Sequence, residues 1–338
     1  MSGTRSFLIA STAEQTDLQL DSQGNLRHLL TMHNLEQQHI TMLLDKAETY
    51  LSDIGKKPVR STTLQGRTVA SLFFEPSTRT RTSFELAAHR LGADFLNLNV
   101  NTSSRRKGES LLDTVYTLQA MQVDVLIVRD AQTGVPAYIA NHANEFISVL
   151  NAGESTIAHP TQALLDLLTI RQQKKDFEKL TVAIIGDIKH SRVARSTSEA
   201  LVTMGAPDIR LICPESLTPE KGTLPSQAKI LHNVRDGISN ADVIMPLRIQ
   251  RERIENLADI PTVDQYYANY GLKSSHMSLA APDAIVMHPG PMNRGIEIES
   301  KLADSAASVI QEQVKNGVAV RMAVLAAVIK SLNYKDSK

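Results

Sequence analysis

Three hydroxyls and two guanidiniums occupy five consecutive positions, Ser77-Thr78-Arg79-Thr80-Arg81. Residue types of this kind, so close together, describe a cradle for phosphate. The apolar run Val69 to Phe74 reads as a buried strand that stops at Pro76, and Phe84, Ala87, Ala88 and Leu91 then recur at helical spacing. The cradle therefore falls on the first turn of a helix, where free backbone N–H groups and a partial positive charge already favour an anion. Hydroxyl donors and forked arginines add to that preference. A Ser/Thr capping box ending in Glu accounts for one hydroxyl and leaves the arginines unexplained.

Alternating elements must position this turn. A helix carrying Ile40, Leu43, Leu44 and Ala47 comes first, and β-rich runs follow at 69–74, 95–100, 123–128 and 146–150, separated by helical stretches. A second set runs 180–185, 209–213, 243–245 and 284–287. Between the sets a helix from Ala163 to about Gln173 buries Leu164, Leu165 and Leu168, and two helices, 302–314 and 318–332, close the chain. The pattern predicts an α/β fold of two doubly wound parallel-sheet domains joined by hinge helices, the last helix packing back on the first domain through Val320, Ala323, Val324, Ala327 and Val328. The expected division is a polar N-terminal extension over 1–25, a first domain over 26–160 plus about 316–338, and a second over 161–315.

Several function classes are excluded. Lys+Arg and Asp+Glu are both 36, so no global field draws nucleic acid or an acidic membrane. No apolar stretch reaches the roughly 18 residues of a membrane span, and no charged start precedes an apolar block as in an export signal. The single cysteine, Cys213, suits a reducing cytosol and core filling, so a cytoplasmic protein is expected. Val182-Ala183-Ile184-Ile185-Gly186-Asp187 resembles the start of a dinucleotide fold but lacks G-x-G-x-x-G, which argues against a nicotinamide cofactor. Neither a cofactor nor a metal is expected.

In open parallel sheets ligands bind beyond the carboxyl ends of strands. The polar residues at those ends are Ser77 to Thr80, then Arg129, then His159-Pro160-Thr161-Gln162, and finally His288-Pro289-Gly290-Pro291. Each has a bland reading, as a strand-end charge, a structural histidine or a rigid turn. Their shared location is the argument. Arg, His and Thr donors around one carbonyl would stabilise a tetrahedral oxyanion, and loss of one such donor costs roughly 100- to 1000-fold in rate. Backbone carbonyls after His288 would accept from an NH2 group. A phosphate, a C=O and an NH2 in one small molecule describe carbamoyl phosphate. In the second set Arg192, Arg248 and Gln250 lie after strands, and two strand-end arginines suit two carboxylates. The acceptor then expected is a dicarboxylate amine. Arg251 and Arg253 read as surface charges or members of an ion pair.

The run S-T-R-T-R after F-F-E-P resembles the carbamoyl-phosphate signature of the aspartate and ornithine carbamoyltransferases, and the other motifs follow in that family's order over nearly the whole chain beyond the N-terminal extension. The resemblance implies that Ser77, Thr78, Arg79, Thr80, Arg129, His159, Gln162 and the backbone of Gly290 and Pro291 bind carbamoyl phosphate. It implies that Lys107, Arg192, Arg248 and Gln250 bind L-aspartate, and that Arg79, Thr80, Lys107, Arg129 and His159 act in catalysis. The loop N-T-S-x-x-x-K-G-E is similar to one that reaches a neighbouring subunit's site, so Ser103 and Lys107 would act in trans within a homotrimer. Where ornithine enzymes typically carry His-Cys-Leu-Pro, this chain has His288-Pro289-Gly290-Pro291, which favours aspartate as acceptor.

The implied reaction gives N-carbamoyl-L-aspartate and phosphate, an early step of pyrimidine (UMP) synthesis, with carbamoyl phosphate bound first. A larger assembly with a dihydroorotase-like or regulatory chain is a further expectation. Transfer to ornithine or another amine, and a non-catalytic anion-binding homologue, are the alternatives.

Overall fold

A computed structural model describes residues 18–53, 55–98, 110–254 and 260–332. The chain divides into two units, Met1–Leu164 with Gly317–Lys338, and Leu165–Asn316. It passes between them twice, each time inside a helix.

The first unit is built on strands β1 (Thr68–Phe73), β2 (Asp94–Leu98), β3 (Val125–Asp130) and β4 (Ser148–Glu154), all parallel in the order β2-β1-β3-β4. Helix α1 (Gln37–Glu48) precedes β1, and α2 (Thr78–Arg90), α3 (Leu111–Ala120) and α4 (Val135–His142) make the crossovers. Every residue of β3 is buried, which is why its apolar run is continuous rather than alternating. The edge strand β2 is more exposed. At the other edge Leu29 N–H donates to Val149 O and Leu29 O accepts from Asn151 N–H, at 3.0 and 2.8 Å, so residues before α1 cover the backbone of β4. The expected strand 146–150 continues through Asn151-Ala152-Gly153-Glu154. An apolar pattern cannot find that extension, because buried Asn151 and Glu154 hydrogen-bond each other at 3.0 Å.

Helix α5 (Pro160–Lys174) leads into the second unit, whose parallel strands are β5 (Thr181–Ile185), β6 (Asp208–Ile212), β7 (Ala228–Leu231), β8 (Val243–Pro246) and β9 (Ile285–Val286), in the order β7-β6-β5-β8-β9. Its helices are α6 (Arg192–Thr203), α7 (Val234–Ile238), α8 (Val263–Tyr270) and α9 (Ser300–Ala303), and α10 (Ile310–Lys330) returns to the first unit. Strand β7 has no counterpart in the sequence reading; it is a short, half-exposed edge with almost no apolar periodicity.

The C-terminal helices differ from expectation. The break lies between α9 and α10, where Val286 N–H donates to Ala307 O and Val309 N–H to Val286 O, so that 307–309 pairs with β9 instead of coiling. No break occurs at Asn316-Gly317. Asn316 Nδ2 donates to Thr169 and Gln172, at 2.9 and 2.8 Å, and Gly317 O accepts from Arg321. In the first unit the later turns of α10 pack as expected, with Val320, Ala323, Val324 and Val328 buried and the Arg321 guanidinium 5.0 Å from the Phe84 ring centroid. Cys213 is buried, and burial pushes its thiol up to about 11, as suits a core residue. No helix among the described residues is long and apolar enough to cross a membrane.

Candidate active site

In the first sheet β1 leads outward to β2, whereas β3 leads the other way to β4. The switch point therefore lies between the carboxyl ends of β1 and β3, where such sheets hold ligands. Phe73, at the end of β1, is in register with Arg129 near the end of β3, and Phe74 N–H donates to Arg129 O at 2.9 Å. The S-T-R-T-R run leaves β1 at this point. Ser77 is the residue preceding α2, and its side chain makes no capping bond, so the helix N-terminus does not consume that hydroxyl. Thr80 is buried, while Thr78 and Arg79 are exposed. Partial desolvation lowers the Arg79 pKa without removing its charge at neutral pH. Arg81 turns back over Phe73, its guanidinium carbon 5.1 Å from the ring centroid.

Arg129 is buried and spans two strands. Its Nη1 donates to Ala152 O on β4 at 3.1 Å, and its Nη2 pairs with Glu75 at 2.9 Å in the turn after β1. Glu75 is not among the expected carbamoyl-phosphate or aspartate residues, and the sequence suggests Arg192 as its partner; a buried guanidinium's need for an anion is the signal that points to Arg129 instead. Strand β4 neighbours β3, and the chain beyond it enters α5 through His159, Thr161 and Gln162, all buried. Ser77 to Thr80 thus follow β1, Arg129 lies near the end of β3, and His159 and Gln162 come after β4, all at one edge of the first unit.

The second sheet has its own switch point, between β5 and β8. After β5 come Gly186 and Asp187, and Ser191 caps α6 by accepting from Ala194 N–H at 3.1 Å, placing Arg192 in its first turn. After β8 come Arg248 and Gln250. A single buried carboxylate joins the two loops. Asp187 accepts from the backbone N–H and Nδ1 of His190, at 3.2 and 2.8 Å, and from Gln250 N–H at 3.1 Å, while Gln250 Nε2 donates to His190 O at 2.9 Å. Neither Asp187 nor His190 stood out in the sequence. The Arg248 fork is filled by Glu252, with Nη1 at 3.1 Å from one oxygen and Nη2 hydrogen-bonded to the other. The hydrogen bond and opposite charge raise the Arg248 pKa and lower that of Glu252.

Gly186 has φ +140°, and a Cβ there would lie 2.7 Å from Leu247 O and 3.2 Å from Tyr266 Oη. Gly186→Ala is therefore expected to separate the ends of β5 and β8. The backbone strain costs about 1–3 kcal/mol, seen as a lower midpoint in thermal unfolding.

Gly290 and Pro291 belong to the second unit. Gly290 has φ +63°, a left-handed conformation that suits glycine, and its N–H donates to His288 Nδ1 at 2.8 Å. That bond puts the ring proton on Nε2, which donates to Glu297 at 3.2 Å, while Gln313 Oε1 accepts from His288 N–H at 2.8 Å. Ser103 and Lys107 lie outside the described residues.

Residues 27–172 match the family model for the carbamoyl-P binding domain of aspartate/ornithine carbamoyltransferases, and residues 178–328 match that for their Asp/Orn binding domain. Aspartate transcarbamoylase from Trypanosoma cruzi, solved with carbamoyl phosphate and aspartate, is 30% identical over 90% of this chain and 97% of its own, with TM-score 0.80. Ornithine carbamoyltransferase from Pyrococcus furiosus is 28% identical, over 90% of this chain and 97% of its own, also with TM-score 0.80. That from Thermus thermophilus is 25% identical, over 90% and 99%, with TM-score 0.78. Two switch points carrying polar groups of these types, in the family's domain order and over most of the chain's length, lead to one conclusion: the chain belongs to the aspartate/ornithine carbamoyltransferase family.

Proposed function

We propose that the chain transfers the carbamoyl group of carbamoyl phosphate to the amine of L-aspartate, giving N-carbamoyl-L-aspartate and phosphate as a step of pyrimidine synthesis in the cytosol. The observation that carries the choice of acceptor is the pair of guanidiniums, Arg192 and Arg248, on two loops joined by Asp187 at the β5/β8 switch point. Two forked cations suit the two carboxylates of aspartate, whereas the cationic side chain of ornithine would be repelled. The absence of a cysteine after His288 supports the same choice.

In this reading Ser77, Thr78, Arg79 and Thr80 cradle the phosphate, and Gln162 with the carbonyls of Gly290 and Pro291 holds the carbamoyl NH2. Arg129, His159 and Thr80 stabilise the oxyanion that forms as the amine nitrogen bonds the carbamoyl carbon. Arg79 and Lys107 neutralise the phosphate as its C–O bond breaks. Gln250 with Arg192 and Arg248 orients aspartate. Ser103 and Lys107 come from a neighbouring subunit of a homotrimer, and a larger assembly would add a dihydroorotase-like or regulatory chain. Sedimentation of the purified protein tests the trimer.

The deciding experiment compares turnover with L-aspartate and with L-ornithine at saturating carbamoyl phosphate. Aspartate is expected to be the better substrate; preference for ornithine overturns the reading, and no turnover with either favours a non-catalytic role. Arg248→Ala is expected to raise the aspartate KM at least tenfold and to lower kcat, because one bidentate carboxylate contact is lost, about 1.5–3 kcal/mol.

A further inference from the structure

We infer that His190, held by the buried carboxylate of Asp187, is the base that takes the proton from the acceptor's ammonium group; the inference rests on the transferase reading given above. An amino acid at neutral pH carries its amine as an ammonium, which has no lone pair with which to attack a carbonyl. Among the side chains named at the β5/β8 switch point, arginine cannot accept a proton and glutamine is not basic. An imidazole is built for the task.

The surroundings of His190 are those of a base rather than of a surface histidine. Its Nδ1 is 2.8 Å from Asp187 Oδ1, its ring is 17% exposed, and Asp187 is fully buried. A carboxylate can only accept at this contact, so the ring proton sits on Nδ1 and the lone pair on Nε2. Two backbone N–H groups, of His190 and Gln250, hold the carboxylate in place. The His190 carbonyl accepts from Gln250 Nε2 at 2.9 Å, which ties the histidine to the loop that also carries Arg248. Arg192, two residues on, opens α6.

The other charges about this loop are mixed. Exposed Lys189 precedes the histidine, and Arg195 Nη2 donates to the Lys189 carbonyl at 3.3 Å. From beyond β8, Arg248 lies within electrostatic reach of Asp187 and Glu297 and is paired with Glu252. Among the described residues Asp187 is the anion in contact with the ring, and it orients the imidazole as the aspartate of a Ser-His-Asp triad does.

The step balances. Nε2 takes one proton from the acceptor ammonium, leaving the nitrogen lone pair free. That nitrogen bonds the carbamoyl carbon, the C–O bond to phosphate breaks, and the second nitrogen-bound proton leaves with the departing phosphate. The imidazolium returns its proton to water at the exposed edge of the ring.

The test is steady-state kinetics of the full-length chain, with L-aspartate varied at saturating carbamoyl phosphate. His190→Gln keeps an N–H donor for Asp187 but has no basic nitrogen, and His190→Ala leaves space for free imidazole. Both are expected to lose about 100-fold or more in kcat, with the aspartate KM changed less than threefold. Imidazole added to the His190→Ala protein is expected to restore part of the loss. A kcat within threefold of the unmodified chain in the His190→Gln protein, a loss confined to KM, or no response of His190→Ala to imidazole overturns the assignment. Binding of L-aspartate in the presence of inorganic phosphate, measured by calorimetry on the His190→Gln protein, is expected to persist; its loss reduces His190 to a structural part of the loop and likewise overturns the proposal. Absence of aspartate turnover in the unmodified chain is a different result, because it overturns the acceptor reading itself.

Discussion

Arg129→Ala is expected to lower carbamoyl transfer by at least 100- to 1000-fold. The guanidinium meets the turn after β1 through Glu75 and the end of β4 through Ala152 O, at 2.9 and 3.1 Å. Its position thus depends on three strands. Truncation would remove the proposed oxyanion donor and leave the Glu75 carboxylate without this cation. The second effect should appear as lost stability, about 1–3 kcal/mol for a charged hydrogen bond left unmade. Arg129→Lys separates the two effects. An ammonium can still pair with Glu75, but it lacks the planar fork that serves Glu75 and Ala152 together. Stability should largely return while kcat stays low. An Arg129→Ala protein with turnover within tenfold of the unmodified chain would remove Arg129 from the reaction.

Acid is expected to destabilise the first unit through His28. This histidine is fully buried; burial first, and the nearby Arg27 charge second, push its pKa down to about 3 from a usual 6.5. Its Nδ1 accepts from Val149 N–H at 2.9 Å, so the neutral ring carries its proton on Nε2, which has no hydrogen-bond partner among the described residues. Protonation would cost the Val149 bond and bury an unpaired charge. The unfolded chain takes up this proton near pH 6.5 and the folded chain only near pH 3, so the neutral histidine's contribution is complete above pH 6.5 and is lost as pH falls toward 3. Each pH unit in that window costs about 1.4 kcal/mol. By pH 4.5 the loss is about 3 kcal/mol, read as a lower urea midpoint and as faster hydrogen exchange at Val149 N–H. His28→Gln, which can accept from Val149 N–H without titrating, should flatten this slope. An unchanged slope would exclude His28 as the titrating group.

Much of the candidate site was legible because its residues are local. Ser77 to Arg81 are contiguous, and the apolar run before them and the helical spacing after them show that a strand ends and a helix begins there. Arg129, His159, Arg192 and Arg248 were legible for a related reason. Each follows an apolar run, and parallel strands send their carboxyl ends to one side. The sequence likewise determined the order of the two α/β halves, the absence of a dinucleotide loop and the chemistry available at each strand end.

What only the tertiary structure decided is which of these groups meet. Glu75 pairs with Arg129 because β1 and β3 are adjacent although β2 separates them in sequence. Asp187 reaches Gln250 across 63 positions because β5 and β8 flank the switch point. Strand β7 and the break before α10 were hidden too, since an edge strand and a segment paired through its backbone need no apolar periodicity. Apolar spacing records which face of an element is buried. Hydrogen bonds and ion pairs between distant residues depend on the order of strands in a sheet, and that order leaves no periodic trace in the chain.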